Sequence, residues 1–327
     1  MKTPDDVRRL AEELGTSVWA FAVLCSAAEA GLLTSLQEPR HVTEAAAQTD
    51  LPAPLVARML DVLVTMGLVQ RDEERYRAAP GLLPLLQPPA ATFFLADLRS
   101  TYLQAWDTIA RAKRGALEMG WHYTDPEILA AQGIGSGQGV HLMGRLLFPH
   151  LDGLEERLHG PWTFLDVGAG VGGIAIEMCR AFPTVRVVGL EPSTAPLAEA
   201  RRNVTEAGLT DRIEVRPQRV EEMSDAMAFD LVWLPQVFLP RDILPRALGA
   251  AWTALRPGGW IMLPAISIRG DDTRAALARF RNVLWGDETL LPEDVARLLG
   301  EARFDAVRVF PSPPGGAPRM VVGRRPL

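Results

Sequence analysis

Apolar positions in the first ninety residues recur mainly with a helical period. Residues 18–33 are apolar on nearly every side, which predicts a helix covered on more than one face. Thr43 precedes residues 44–48 as the cap of a short helix. Leu55, Val56, Met59, Leu60, Leu63 and Met66 then share one face of a longer helix that Gly67 ends. Residues 68–70 and 76–77 flank a charged tip, the pattern of a small hairpin or wing. Residues 1–90 therefore read as a winged-helix unit. The proline-rich residues 80–91 read as a linker. A helical stretch follows over 91–160, with helices expected at 95–111 and 140–158, the second broken near Pro149. Between them Gly133, Gly135, Gly137 and Gly139 predict a flexible connection.

From Trp162 the pattern changes to alternating strands and helices. Strands are expected at 164–167, 185–190, 213–216, 231–234 and 260–264, and helices at 174–182, 195–207 and 243–255. That alternation predicts a parallel sheet covered on both faces over residues 161–327. Residues 306–310 and 320–323 flank a Pro/Gly loop at 311–318, which predicts an antiparallel hairpin at one sheet edge. The fold class is thus α/β, a Rossmann-like sheet with a C-terminal antiparallel hairpin, behind an N-terminal winged-helix domain of mainly helical content.

Charge narrows the partners. The chain carries a formal −6, against the basic balance that phosphate binding needs, so no nucleic-acid partner is expected. Residues 1–90 hold eight Lys and Arg against twelve Asp and Glu, a balance of −4, and the expected recognition helix offers only Arg58. An apolar helix pair without basic groups reads instead as a homodimer interface. Cys25 and Cys179 fall in apolar helical segments as buried thiols. Asp5 and Asp6 stand where a signal peptide would be basic, and the apolar run at 18–25 is short for a bilayer, so a cytoplasmic protein without a membrane partner is expected.

The chemistry concentrates at residues 164–173, Phe-Leu-Asp-Val-Gly-Ala-Gly-Val-Gly-Gly, where a strand turns into a helix. Glycines there let the backbone approach a ligand, and the helix N-terminus offers free N–H groups. Gly168, Gly170 and Gly173 also satisfy a dinucleotide fingerprint. Asp166, however, suits an ammonium group better than a pyrophosphate. Glu191 closes the next strand, where a carboxylate can bridge ribose hydroxyls.

With residues 256–260, Arg-Pro-Gly-Gly-Trp, and the C-terminal hairpin, these features resemble class I S-adenosylmethionine (SAM)-dependent methyltransferases. The whole chain resembles the small-molecule O-methyltransferases of plants and of bacterial natural-product pathways. The resemblance implies SAM as cofactor, held by Asp166, Gly168, Gly170 and Glu191, with Pro192, Gln218, Arg219 and Pro235 completing the site. It implies an aromatic small-molecule substrate beneath residues 91–160, lined by Met143, Leu147, Gln236 and Phe238, with Met143 beside the sulfonium. Trp121, Tyr123, Trp233 and Trp285 are further candidates for an aromatic lining.

Two departures stand out. The family's acidic residue near the adenine amine is replaced by Gln218 and Arg219. The catalytic histidine usual after the fourth strand is absent from residues 234–242. His141 and His150 are then the candidate general bases if the acceptor is a hydroxyl. Asp242 and Tyr123 are the reserves. His41 and His159 read as surface residues and His122 as a pocket or surface residue, and no spaced metal-ligand pair is present. The acceptor atom, carbon or oxygen, stays open. A SAM-binding protein that does not methylate, and a winged-helix transcription regulator, are the alternative readings.

Overall fold

Helix α1 (Pro4–Glu29) starts at a capping box: the Thr3 hydroxyl accepts from the Asp6 N–H while the Asp6 carboxylate accepts from the Thr3 N–H. Gly31, at φ +73°, turns the chain into α2 (Leu32–Ser35). A two-residue strand β1 (Arg40–His41) leads into α3 (Val42–Ala46). Its cap is His41, two residues earlier than the Thr43 expected: the His41 N–H donates to the Glu44 carboxylate, 2.8 Å. Helix α4 (Ala53–Thr65) buries Val56, Met59, Leu60 and Leu63. Leu55 and Met66, expected on that face, are exposed. The wing is β2 (Val69–Asp72) and β3 (Arg75–Ala78), and β3 lies between β2 and β1, all antiparallel. Leu82 and Leu86 are buried against the same core, so the proline-rich stretch is packed structure as well as a connection.

The computed structural model describes residues 2–265, 270–287, 290–312 and 319–327, and the chain divides into two units, 1–102 and 103–327. In the first unit α1 keeps an apolar stripe uncovered. Val7, Leu10, Leu14 and Val18 recur at helical spacing, and Val18 and the adjacent Trp19 are 67% and 75% exposed. By length and composition alone α1 is also long and apolar enough to cross a membrane.

Helix α5 (Ala90–Lys113) carries the chain into the second unit, where α6 (Pro126–Leu146), a short 3-10 turn and α7 (Leu154–Leu158) precede the sheet. The glycine run expected to be a flexible connection is continuous α6. The physical reason is close packing: a Cβ on Gly133 would lie 2.2 Å from Val171 Cγ2, and one on Gly137 2.9 Å from Glu177 Cγ. The glycines let α6 lie against the next helix of the sheet domain.

The sheet strands are β4 (Trp162–Val167), β5 (Val185–Leu190), β6 (Ile213–Arg216), β7 (Phe229–Trp233), β8 (Leu255–Ala265), β9 (Asp305–Phe310) and β10 (Arg319–Arg324). They lie in the order β6-β5-β4-β7-β8-β10-β9. The first five are parallel, and β10 runs antiparallel between β8 and the edge strand β9, as the hairpin pattern predicts. Of the 311–318 loop, residues 313–318 lie outside the described residues. Helices α8 (Gly173–Ala181), α9 (Thr194–Glu206) and α10 (Leu244–Ala254) are the expected crossovers. Two more, α11 (Thr273–Trp285) and α12 (Pro292–Glu301), follow β8.

Alternation along β4 and β7 builds two cores. Leu165, Val167 and Val232 face α10 and α12, while Phe164, Leu231 and Trp260 face α6 and α8. At the N-terminal ends of the strands the buried Asp230 accepts from Arg157, Arg256 and the Thr163 N–H. Arg256 thereby ties β8 to β4 and β7 at the end of the sheet away from the glycine loop.

Candidate functional site

Strand β4 ends at Val167, and residues 168–172 turn into α8 with Gly168, Gly170 and Gly172 at φ +69°, +56° and +84°. Only glycine adopts such angles at little cost. The loop is pinned by the Ala169 N–H on the Leu190 carbonyl, 2.9 Å, and by the Asn203 side chain on the Val171 carbonyl, 3.0 Å. Nothing lies within 4 Å of where a Cβ on Gly170 would sit, so the crest of the loop faces open space. Gly173 has another task. Its Cβ would fall 2.0 Å from the Gly133 carbonyl oxygen, so it serves the α6–α8 contact.

Beneath this loop Asp166 is 1% exposed, and neither carboxylate oxygen has a hydrogen-bond partner among the described residues. Burial, and then the charge of Glu191, push its carboxyl up to about 8. The Ala175 backbone N–H opposes that rise without closing a well-formed hydrogen bond. An orphaned buried carboxyl of this kind calls for a cationic or hydrogen-bonding partner. Glu191, at the end of β5, is buried too. Its two oxygens accept from the Gly170 N–H at 2.9 Å and the Ser193 N–H at 2.8 Å. Burial raises its pKa, and those two N–H groups pull it back. Each oxygen keeps lone-pair capacity for a ligand hydroxyl.

The parallel sheet brings the end of β7 beside the loop. Pro235 is buried, its Cγ 4.0 Å from the ideal Cβ position of Gly168. Gln236 is buried and donates to the Pro264 carbonyl, 3.4 Å. Val237 packs with Val171 of the loop, Ile128 and Leu129 of α6, and Tyr123. Phe238 meets Trp121 edge-on at 5.3 Å and Trp285 at 6.0 Å, and Trp121 meets Tyr123 at 4.7 Å. These aromatic side chains gather beside the loop, whereas Trp233 packs with the α6–α8 core. Gln218 follows β6 and donates to the Glu222 carbonyl at 3.1 Å, and Arg219 and Pro192 are exposed. Among the described residues no group of three or more His, Cys, Asp or Glu could hold a metal ion.

Four candidates are not brought to the loop. Along α6, Gly133 meets the start of α8 and Gly144 meets Phe182 beyond its end, so the later turns of α6 run away from the glycines. Met143 and Leu147 are buried in the core with Trp162, Met178 and Cys179. His141 contacts the Glu177 carboxylate at 3.2 Å. His150 is exposed, with the ring of Phe310 on the edge strand 6.2 Å away. The helical stripe that placed Met143 and Leu147 on one face describes packing. Sequence reasoning also passed over Ser193 and the buried Arg111. The Asp107–Arg111 spacing on α5 was the available signal for the latter, since such pairs meet on a helix.

Residues 164–259 match the methyltransferase-domain family, and residues 31–73 match the IclR helix-turn-helix domain. A tRNA U34 carboxymethyltransferase of Cellvibrio japonicus is 31% identical over 166 residues, 50% of each chain. A ribosomal protein uL3 glutamine methyltransferase of Bordetella pertussis is 30% identical over 54% of this chain and 59% of its own. The chain thus spans about half the length of the curated relatives it matches. Solved structures resemble it along nearly its whole length. Human N-acetylserotonin methyltransferase in complex with SAM superposes with a TM-score of 0.68 at 16% identity, covering 100% of both chains. The pyocyanin biosynthetic protein PhzM gives 0.70 at 22% identity, covering 98% of this chain and 99% of its own. The likeness is one of fold: a winged-helix unit followed along the chain by an α/β sheet domain.

Proposed function

We propose that this chain, whose residues 164–259 match the methyltransferase-domain family, moves a methyl group from SAM to a small aromatic acceptor. The observation that carries the reading is the orphaned Asp166 carboxyl under an open glycine loop, beside Glu191 at the end of the next strand. A methionine ammonium matches Asp166, and ribose hydroxyls match the remaining acceptor capacity of Glu191. Gly168 and Gly170 let backbone N–H groups approach the ligand. Pro192, Gln218, Arg219 and Pro235 complete the proposed cofactor surface. When bound, SAM supplies an electrophilic methyl on a sulfonium and leaves as neutral S-adenosylhomocysteine.

The acceptor lies against Phe238 and the Trp121–Tyr123–Trp285 group, with Gln236 at its edge. No titratable side chain occupies residues 235–238. Tyr123 is a poor base there, because burial raises its pKa. The acceptor therefore brings its own nucleophile, an electron-rich carbon, an amine or an acidic hydroxyl, and positioning carries the rate. Incubation with SAM and a panel of phenols, aryl amines and electron-rich arenes tests this. S-adenosylhomocysteine should accumulate with some acceptor and not without one. Tight SAM binding without turnover on any acceptor would favour a binding role.

The exposed stripe on α1 supports a homodimer formed through the first unit, since large uncovered apolar faces mark interfaces. Light scattering at micromolar concentration should give twice the chain mass, and a monomer would contradict it. The IclR match gives the regulator reading its one support. The surface argues against it. The α4 helix offers a single arginine, Arg58, already paired with Asp61 at 2.7 Å.

A further inference from the structure

A second feature shares Tyr123 with the aromatic group. Arg111, on α5, is only 7% exposed. Its Nε contacts the Asp107 carboxylate at 2.6 Å, and its guanidinium carbon sits 4.5 Å from the centre of the Tyr123 ring. None of its three guanidinium nitrogens closes a well-formed hydrogen bond among the described residues, although the guanidinium also lies close enough to the Tyr123 hydroxyl to act against the burial-driven rise of its pKa. Arginine stays ionised and carries its donors in a planar fork suited to a carboxylate. A buried guanidinium with that edge unmet is costly, so such donors are normally satisfied.

The side chain does not lie in closed core. Arg111 lines a cavity of about 360 Å³ with Arg114, His122, Tyr123 and Ile128. Asp107 and Asp125 also line it, but both are engaged. Asp107 meets Arg111 at Nε, and Asp125 accepts from the Glu127 and Ile128 N–H groups that start α6. His122 bonds the Met119 carbonyl. Tyr123 and Ile128 belong both to this cavity and to the apolar group that includes Val171 of the glycine loop and Val237. The cavity therefore adjoins the proposed acceptor surface.

We infer that Arg111, helped by Arg114, receives the carboxylate of the acceptor, so that the substrates of this site are aromatic acids. The two Nη donors take the two carboxylate oxygens, and the ring lies toward Tyr123 and the loop. The assignment rests on the methyl-transfer reading for the word substrate, but the anion site itself does not.

Fluorescence or calorimetric titration of the full-length protein with 2-naphthoate, against 2-naphthamide, tests it, with SAM titrated separately in each variant. Charge-assisted bidentate bonds are worth about ten- to a hundredfold in affinity. 2-Naphthoate should bind at least tenfold more tightly than 2-naphthamide. Arg111→Gln should erase that difference and leave SAM affinity unchanged. Arg111→Lys, which keeps the charge facing Asp107, should retain part of it. Arg114→Gln, at an exposed position, should lower it severalfold whatever Arg111→Gln does to folding. Equal binding of acid and amide by the wild-type protein would overturn the inference. So would an undiminished preference for the acid in both Arg111→Lys and Arg114→Gln. Loss of SAM binding in the wild-type protein would instead defeat the methyl-transfer reading alone.

Discussion

Replacing Asp166 by Asn should make the protein more stable and bind SAM less well, because the buried carboxyl is strained without a ligand. In the folded chain its pKa stands at about 8, against 3.8 when exposed. Below pH 3.8 both states hold the proton and the site costs nothing. Between 3.8 and 8 the unfolded chain loses its proton while the folded chain keeps it, so stability falls as pH rises. Above 8 both are ionised and the penalty levels off. Each tenfold in proton affinity is about 1.4 kcal/mol, which sets a ceiling on the order of 5 kcal/mol at pH 8. Small movements of the loop and entry of water relieve part of it, and a gain of about 2–3 kcal/mol for Asp166→Asn is expected. Asparagine has the same shape and no charge. Urea unfolding of both proteins from pH 5 to pH 9 measures the difference. It should be small at pH 5 and widen up to pH 8. SAM affinity should fall about ten- to a hundredfold, the worth of a hydrogen bond to a charged group. An Asp166→Asn protein no more stable than the parent at pH 8, with SAM affinity unchanged, would refute the reasoning.

Three further expectations follow from the site. Glu191→Ala should weaken SAM binding about ten- to a hundredfold with the fold intact, measured by calorimetry; an unchanged constant would mean that Glu191 does not face the ribose. Gly173→Ala should cost about 1–3 kcal/mol in thermal unfolding, because its Cβ would fall 2.0 Å from the Gly133 carbonyl and push α6 off α8; an unshifted melting curve would contradict the close contact. His141→Ala and His150→Ala should leave single-turnover methylation within about twofold across pH, since neither ring reaches the loop. A hundredfold loss would restore one of them as a general base.

The sheet domain was legible because its signals are local. Strands β5 and β6 have the predicted ends, and β4 and β7 are buried on both faces, with Phe164 and Leu231 in one core and Leu165 and Val232 in the other. The positions of Asp166 and Glu191 beside the glycine loop were legible because a strand's C-terminal end sets where its side chain goes. The helical stretch before the sheet was not legible. Glycines in a sequence read as flexibility, and only the partner helix reveals that Gly133 and Gly137 are contact points. The direction of α6 along α8 then carries Met143 and His141 away from the loop, and nothing in their spacing records that direction. Arg111 was overlooked for a similar reason, since its burial is set by Tyr123 and the start of α6, which lie outside its own helix and which no helical spacing ties to it.

The most direct test of the central claim is a calorimetric titration of the wild-type protein with SAM, S-adenosylhomocysteine and NAD. SAM and S-adenosylhomocysteine should each bind at one site per chain in the micromolar range, a free energy of about −8 kcal/mol, and NAD should give no heat. With Asp166 at about 8 in the ligand-free protein, SAM binding at pH 7 should also release close to one proton, seen as a dependence of the heat on the buffer's ionisation enthalpy. Micromolar binding of NAD with none of SAM would contradict the account.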